Sequence, residues 1–311
     1  MIRSFTKNIG GFLLLLTLVS ISTRLSAQKN GPTLPKDSIW TNGGNAGLFF
    51  QQVGLNNWSG GGENSVAYGA EVNLYANKRQ RSHTWFNNLQ AGYGLVKIGD
   101  GGARKNNDIL IVTSQYGRFL SKNWQLSAGL DFRTQFADGF NYDGAADGTD
   151  SLISTFMAPG YLSPYIGATY KPNDAFSATI APLMEKVTFV MDDDLAAVGA
   201  YGVDPGDNMR SQTGWSVSAV YQKEIMTNVN LKTSLLLFDA YESLGHVDVN
   251  FDLFLNFKVN KYITTNFAIQ AIYDDDVNIE DDDGKVGPRL QLRNVLNIGL
   301  TYNFGEPRKK E

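Results

Sequence analysis

The chain has 311 residues, a formal net charge of −4 at pH 7 and no cysteine. Without cysteine, neither a disulfide framework nor a lipid-modified cysteine anchor can form. The acidic balance argues against nucleic acid as a partner, because surfaces that bind nucleic acid are strongly basic. With 32 glycines and 12% aromatic residues, the composition is typical of many β-strands joined by turns.

The N-terminal segment has the features of an export signal. Arg3 and Lys7 precede a short apolar run at residues 12–19, and Ser26 and Ala27 supply small residues at a cleavage position. The apolar run is too short to cross a bilayer as a helix. We therefore expect a signal peptide at residues 1–27, a periplasmic leader at 28–45, one folded domain at 46–304 and a periplasmic tail at 305–311.

The remaining chain shows the two-residue alternation of β-strands. In the last strand, Leu296, Ile298 and Leu300 share one face, while Arg293 and Asn297 share the other. Alternation and turn chemistry together predict about twelve strands, with ten or fourteen as alternatives. The predicted strands are residues 46–54, 64–77, 83–98, 108–120, 124–136, 158–171, 175–190, 212–224, 229–239, 247–259, 262–273 and 289–304. Pro164 and Pro182 interrupt two of them, where the missing N–H breaks the strand ladder unless a β-bulge absorbs it.

The predicted connections alternate between short and long. Residues 77–82 and 121–123 are short, whereas residues 137–157 and 191–211 are long. This alternation is typical of an antiparallel up-and-down membrane barrel, with short periplasmic turns and longer extracellular loops. The sequence therefore predicts an all-β transmembrane barrel in contact with outer-membrane lipid, with extracellular long loops and periplasmic termini.

Two motifs resemble those of known outer-membrane proteins. The C-terminal pattern of Gly299, Tyr302 and Phe304 is similar to the last-strand signal by which outer-membrane barrels are recognised for insertion. The segment NNWSGGGENS at residues 56–65 is more distinctive, and residues 182–190 and 199–206 accompany it. From about Trp40 to Phe304, the chain resembles an uncharacterised β-barrel family of Bacteroidota outer membranes. The resemblance implies the fold and the location, and it implies no activity.

Charged residues on the polar strand faces are expected to point into the barrel lumen. The candidates are Glu71, Asp131, Arg133, Asp252, Lys258, Arg289 and Arg293. A barrel of about twelve strands is wide enough for side chains and a narrow polar passage. These charges either line a path for small solutes or pair with each other and close it, and the sequence leaves both readings open.

A glycine-rich stretch provides a candidate recognition loop. It consists of Trp58, Gly60, Gly61 and Gly62. Three glycines without a following Lys-Ser or Lys-Thr do not make a phosphate-binding loop. We expect a tight turn, in which Trp58 either packs against the barrel rim or forms a recognition surface.

Catalysis is not favoured by the sequence. The chain has two histidines, His83 and His246, which the predicted topology places at opposite ends of the barrel. His246 has Ser243 and Asp248 nearby, but a solvated loop histidine is a simpler interpretation than a nucleophile triad. We therefore assign no catalytic, cofactor-binding or metal-binding residue, and an outer-membrane hydrolase is a distant alternative.

The long loops are rich in carboxylates, as at residues 192–194 and 274–276. Such loops supply the oxygen ligands that Ca²⁺ prefers, although none has the spacing of a helix–loop–helix site. No cofactor is predicted, and Ca²⁺ on these loops is an alternative. The expected function is a non-enzymatic structural or docking barrel for other envelope proteins at the cell surface. The alternative is a narrow small-solute or ion channel.

Overall fold

Twelve strands close into a single antiparallel barrel. The computed structural model describes residues 40–55, 63–142, 150–275, 278–280 and 285–305. The barrel strands are β1 (Thr41–Val53), β2 (Ser65–Arg79), β3 (His83–Ile98), β4 (Arg104–Phe119), β5 (Trp124–Thr134), β8 (Gly160–Tyr170), β9 (Phe176–Phe189), β10 (Met209–Met226), β11 (Val229–Ala240), β12 (Asp248–Lys258), β13 (Ile263–Tyr273) and β16 (Gln291–Phe304). Two small hairpins belong to the long loops: β6 (Gly139–Asn141) with β7 (Ser151–Ser154), and β14 (Asn278–Glu280) with β15 (Val286–Pro288).

The barrel closes where its first and last strands pair, with Leu48 of β1 opposite Leu300 of β16. The predicted number of about twelve strands is confirmed. The barrel begins at Thr41, so residues 41–45 belong to β1 and not to a leader. The two glycines in this stretch conceal its alternation. They also allow close strand contact, because a Cβ atom at Gly43 would lie 2.7 Å from the Phe304 carbonyl oxygen.

The expected bulge at Pro182 is present in β9. The pairing of β9 shifts register near this proline against both β8 and β10, because proline has no N–H to donate to a strand ladder. The shift changes which alternate residues face the interior. Thr179 faces inward before the bulge, whereas Met184 and Lys186 face inward after it, as their contacts with other interior residues show.

The two faces of the barrel wall have opposite polarity. The outer face exposes large apolar side chains, among them Leu48, Phe50, Leu126, Ile166, Leu292, Leu296, Ile298 and Leu300. The inner face buries polar side chains, among them Gln115, Gln125, Ser127, Asp131, Arg133 and Thr169. An apolar exterior around a polar interior is the pattern of a barrel that crosses a membrane. Among the described residues, no helix is long and apolar enough to cross a membrane.

Aromatic side chains form part of a girdle at the end of the barrel that carries the short turns. The rings of Trp40 and Trp85 lie 5.6 Å apart, and those of Trp124 and Tyr170 lie 5.0 Å apart. Tryptophan and tyrosine concentrate at membrane–water interfaces, because their rings are apolar while their polar atoms bond water or headgroups. This end therefore lies at one surface of the bilayer.

Candidate functional site in the barrel lumen

The inner wall near the short turns contains a network of neutral polar side chains. The Thr84 hydroxyl donates to Gln125 Oε1 at 3.0 Å. Farther round the wall, the Thr169 hydroxyl lies 2.8 Å from that of Ser127 and 2.9 Å from that of Thr179. All five side chains are buried. Because these groups satisfy one another, this network needs no ion to stabilise it.

The inner wall near the long loops contains a buried ion pair. Arg133 Nε lies 2.7 Å from Asp131 Oδ1, and the Thr113 hydroxyl donates to Asp131 Oδ2 at 2.9 Å. Arg133 also interacts electrostatically with Asp252 on β12, close to the opposite wall. Charges buried in this way are stable only when they are paired and hydrogen-bonded. The arginine therefore links carboxylates on two sides of the lumen.

A second set of charges lies at the mouth near the long loops. Lys186 Nζ on β9 lies 2.7 Å from Asp248 Oδ2 on β12 and 3.1 Å from Asp274 Oδ2 just after β13. The backbone N–H of Asp275 donates to Asp248 Oδ1 at 3.3 Å. One ammonium group thus holds two carboxylates from distant strands, and the three residues draw the mouth together. We call Lys186, Asp248 and Asp274 the mouth triplet.

The inner wall formed by β11 and β12 remains accessible. Asp252 accepts hydrogen bonds from the Ser234 hydroxyl and from Gln270 Nε2, each at 3.1 Å. Lys232 interacts electrostatically with Asp252. Its register partner Phe254 also faces inward, and it is 36% exposed. Water therefore reaches part of the lumen along these two strands.

Glu71 and Arg293 form a further charged contact on the strands that flank β1. The two side chains interact electrostatically, and Asn107 Nδ2 donates to Glu71 Oε1 at 3.4 Å. This contact spans β16, β2 and β4. It extends the charged half of the lumen to the wall beside the barrel closure.

The predicted lumen residues separate into two groups. The structure places Glu71, Asp131, Arg133, Asp252 and Arg293 on the inner wall, as their contacts show. The other two lie at the ends of their strands. Lys258 is the last residue of β12 and is exposed at the rim. Arg289 precedes β16, and its Nη2 donates to the Lys285 carbonyl at 3.0 Å. Trp58, Gly60, Gly61 and Gly62 lie outside the described residues.

Lys186 is an inner-wall residue that sequence reasoning missed. Simple alternation through β9 fails at the bulge at Pro182. After the bulge, the other set of alternate residues faces the lumen. A lysine that follows a proline within one predicted strand was the available signal. Its partners could not be found from the sequence, since Asp248 and Asp274 lie far along the chain from it.

An ordered cap of loop residues packs at the end with the long loops. Its short helix α1 (Asp193–Ala197) is capped at its N-terminus by Asp192, whose Oδ1 accepts the Leu195 N–H at 3.0 Å. The acidic run at 192–194 therefore contributes an N-terminal helix cap, a role that sequence reasoning did not assign. The buried core of the cap consists of Ala158, Val190, Leu195, Ala196 and Val203. We call residues 153–158 and 190–208 the loop cap.

Polar contacts fasten the loop cap to the barrel. Gln135 Nε2 donates to the carbonyls of Thr155 at 2.7 Å and Ala158 at 3.0 Å. The Tyr201 hydroxyl donates to the Ile153 carbonyl, and burial raises the pKa of Tyr201 above its ordinary value. A neutral, buried phenol is a suitable donor to a carbonyl, so this contact joins the two loops of the cap.

The base of the β5–β8 loop has its own clamp. Asp108 of β4 accepts the N–H groups of Phe136 at 2.8 Å and Ala137 at 2.9 Å. Lys105 Nζ lies 3.0 Å from the same carboxylate and donates to the Ala137 carbonyl at 2.6 Å. One carboxylate thereby orders the start of a long loop.

The two histidines lie at opposite ends of the barrel, as predicted. His83 stacks on Tyr116 with ring centroids 5.5 Å apart, near the short turns. His246 Nδ1 contacts the Asp275 carboxylate, which also accepts the Tyr273 hydroxyl at 3.2 Å. Asp248, which the sequence places near His246, instead holds Lys186.

The acidic loops do not assemble a metal site in the part of the chain that the structure describes. Among those residues, no group of three or more His, Cys, Asp or Glu side chains is arranged to hold a metal ion. The carboxylates of residues 143–149, 276–277 and 281–284 lie outside this statement. Ca²⁺ binding therefore stays a prediction.

The fold and the lumen define a transmembrane β-barrel of the outer-membrane type. A family model described as a protein of unknown function (DUF3078) matches residues 50–140. No curated protein matches the chain.

Several solved barrels are similar to this one in architecture. The COG4313 outer membrane channel from Pseudomonas putida F1 is 12% identical, with a TM-score of 0.42, and the similarity covers 89% of this chain and 99% of that chain. The NanC porin is 10% identical, with a TM-score of 0.37, and the similarity covers 84% of this chain and 98% of that chain. The translocator domain of the autotransporter NalP from Neisseria meningitidis is 9% identical, with a TM-score of 0.37, and the similarity covers 85% of this chain and 88% of that chain. At these identities, the similarity carries no argument about activity.

Proposed function

We propose that this protein is a non-enzymatic docking barrel of the outer membrane. Its lumen is closed to solute flow, and its long loops face outward and hold other envelope proteins. The observation that carries the proposal is the mouth triplet, in which Lys186 joins Asp248 and Asp274 at 2.7 and 3.1 Å. The loop cap at the same end of the barrel supports it.

Closure is favoured because an open passage would have to separate these charges. Removing one partner from a buried ion pair costs about 3–5 kcal/mol, since the remaining charge is left without compensation. The Asp131–Arg133 pair adds a second barrier in the same half of the lumen. A permanent passage for solutes would not need charges that join strands which are not neighbours in the barrel.

The loop cap supplies a surface for a partner. It is ordered by its own buried core, yet Phe156, Met191 and Val198 remain exposed on it, Val198 by 75%. Exposed apolar side chains on an ordered surface are typical of sites that bind other proteins. A rigid surface also loses little conformational entropy when a partner binds.

Single-channel recording in planar bilayers tests the closed lumen. The refolded wild-type protein should insert without conducting, both with Ca²⁺ present and after its chelation, and heat-modifiable gel mobility would verify folding. Stepwise current from the wild type would contradict closure. Current that appears only after chelation would instead assign the closure to Ca²⁺ on the acidic loops.

Site-specific photo-crosslinking in intact cells tests the docking role. A photoreactive residue at Val198 should give one discrete heavier product, whereas the same residue at the exposed Met226 near the short turns serves as the matched control. Lack of a discrete product at Val198, or the same product at both positions, would contradict docking by the loop cap.

A narrow channel is the second candidate, and the accessible wall of β11 and β12 favours it. Lys232, Asp252 and Phe254 line that wall, and Phe254 is 36% exposed. In a channel of this kind, Lys232→Glu would reverse the local charge and shift ion selectivity toward cations. If the wild type conducts and this substitution leaves its selectivity unchanged, a path along β11 and β12 is excluded.

A further inference from the structure

Two adjacent turns bring four cationic side chains to the outer side of one part of the barrel rim. They are Lys78, Arg81, Arg118 and Lys122, and we call them the cationic sector. Arg79 is not part of it, because its register partner Thr84 faces the lumen. The turns at residues 80–82 and 120–123 lie side by side, because β3 pairs with β4 and places His83 opposite Arg118. The N–H of Phe119 also donates to the Ser82 carbonyl at 2.9 Å. Strand pairing thus concentrates positive charge that is spread along the sequence.

No local carboxylate cancels this charge. Residues 72–99 and 109–130, which contain the whole sector, have no Asp or Glu. Within the described part of the chain, none of the four cations forms an ion pair. Two other short turns carry both signs: one has Lys171 with Asp174, which interact electrostatically, and the other has Lys223 next to Glu224. The turn between β12 and β13 also lacks a carboxylate, but it has only Lys258 and Lys261. Uncancelled positive charge is therefore densest at the cationic sector.

Aromatic neighbours place the sector at the depth of lipid headgroups. Lys78 Nζ lies 5.9 Å from the centroid of the Trp40 ring, which in turn packs 5.6 Å from Trp85. Arg118 follows Tyr116 on the outer face of β4, and Tyr116 stacks on His83. Because exposed Trp and Tyr side chains mark the membrane–water interface, the cations beside them lie where lipid phosphates are found.

We propose that the cationic sector binds the phosphate of an anionic phospholipid headgroup in the leaflet that the short turns contact. The forked guanidinium groups of Arg81 and Arg118 match phosphate oxygens in pairs. Each Lys or Arg near an anionic membrane surface strengthens binding by about fivefold. The sector thus anchors one side of the barrel to a defined class of lipid, whether or not the lumen conducts.

Native mass spectrometry of the refolded, full mature barrel tests the lipid site. The protein in detergent is titrated with phosphatidylglycerol and, separately, with phosphatidylcholine at low ionic strength. The wild type should prefer phosphatidylglycerol. The variant Arg81→Gln/Arg118→Gln/Lys122→Gln should bind phosphatidylglycerol about a hundredfold more weakly, because three charges of about fivefold each are removed. Phosphatidylcholine binding should not change.

Two matched variants isolate the sector from general charge effects. Lys223→Gln/Lys258→Gln/Lys261→Gln removes three charges from other turns at the same end and should keep most of the preference. Arg81→Lys/Arg118→Lys/Lys122→Arg keeps the charge and should bind as the wild type does. Heat-modifiable gel mobility verifies that each variant is folded.

Three results would overturn the proposal. One is a folded sector variant that retains the phosphatidylglycerol preference, and another is a control variant that loses as much of it. The third is full displacement of the lipid by excess inorganic phosphate, which would assign the sector to free phosphate instead. We expect excess inorganic phosphate not to displace the lipid.

Discussion

The two halves of the lumen hold their walls together by different means. Near the short turns, buried hydroxyl and amide groups such as Thr169 and Gln125 bond to close neighbours round the wall. Near the long loops, Arg133 and Lys186 interact with carboxylates on distant strands. A neutral wall stabilises the barrel without crossing the lumen, whereas a charged wall has partners on other strands. Under the closure that we propose, the half near the long loops determines whether the barrel conducts.

The largest effect on stability is expected where a buried charge loses its partner. Asp131→Ala leaves Arg133 in the wall without its nearest carboxylate, so the free energy of unfolding should fall by about 3–5 kcal/mol. Urea unfolding in detergent, followed by tryptophan fluorescence, measures this change. The double variant Asp131→Ala/Arg133→Met should recover much of the loss, because no unpaired charge remains. If the double variant is less stable than Asp131→Ala alone, an unpaired Arg133 is excluded as the cause of the loss.

A smaller effect is expected at the loop clamp. Asp108→Asn replaces a carboxylate, which accepts two backbone N–H groups and pairs with Lys105, by a neutral amide. Hydrogen bonds to a charged group contribute about 1.5–3 kcal/mol each, so the β5–β8 loop should open more often while the barrel stays folded. Limited proteolysis should cut this loop faster than in the wild type. Cleavage at an unchanged rate would show that the clamp does not order the loop.

A still smaller effect is expected in the neutral half. Thr169→Val removes a hydroxyl that bonds to Ser127 and Thr179. Because the wall carries no charge here, the cost should be about 1 kcal/mol, as measured by the same urea unfolding. A loss as large as that of Asp131→Ala would contradict the distinction between the two halves.

The smallest effect is expected at the two predicted lumen residues that lie at strand ends. Lys258→Gln and Arg289→Gln change side chains at the rim and before β16. Surface substitutions of this kind usually stay within about 0.5 kcal/mol, so unfolding and bilayer behaviour should match the wild type. A substantial change in either would place these side chains in the functional wall after all.

Much of the barrel could be predicted from the sequence, because two-residue alternation directly reports which side of a wall each residue faces. The last strand illustrates this, since Leu300 and Arg293 separate cleanly between its faces. The pattern failed where a β-bulge changed which alternate residues face the lumen. The bulge at Pro182 is an example, and because of it the inward direction of Lys186 was not predicted. It also failed at Gly43, which has no side chain to alternate.

The partners within the site were beyond sequence reasoning. Lys186 and Asp274 meet because the curved sheet from β9 to β13 brings both residues to the same mouth. Alternation predicts the direction of a side chain and not its partner across a lumen. The loop cap was missed for a related reason: its core joins Ala158 to Val203 across β8 and β9, and nothing periodic in the long loops indicates that packing.

The most direct test of the central claim is single-channel recording that compares one substitution from each half of the lumen. Lys186→Met breaks the mouth triplet, and Thr169→Val alters the neutral wall while retaining its shape. If the half near the long loops closes the barrel, the wild type and Thr169→Val should both be silent, and Lys186→Met should show stepwise current. Current from the wild type, or a silent Lys186→Met that is folded and inserted, would contradict closure by the mouth triplet.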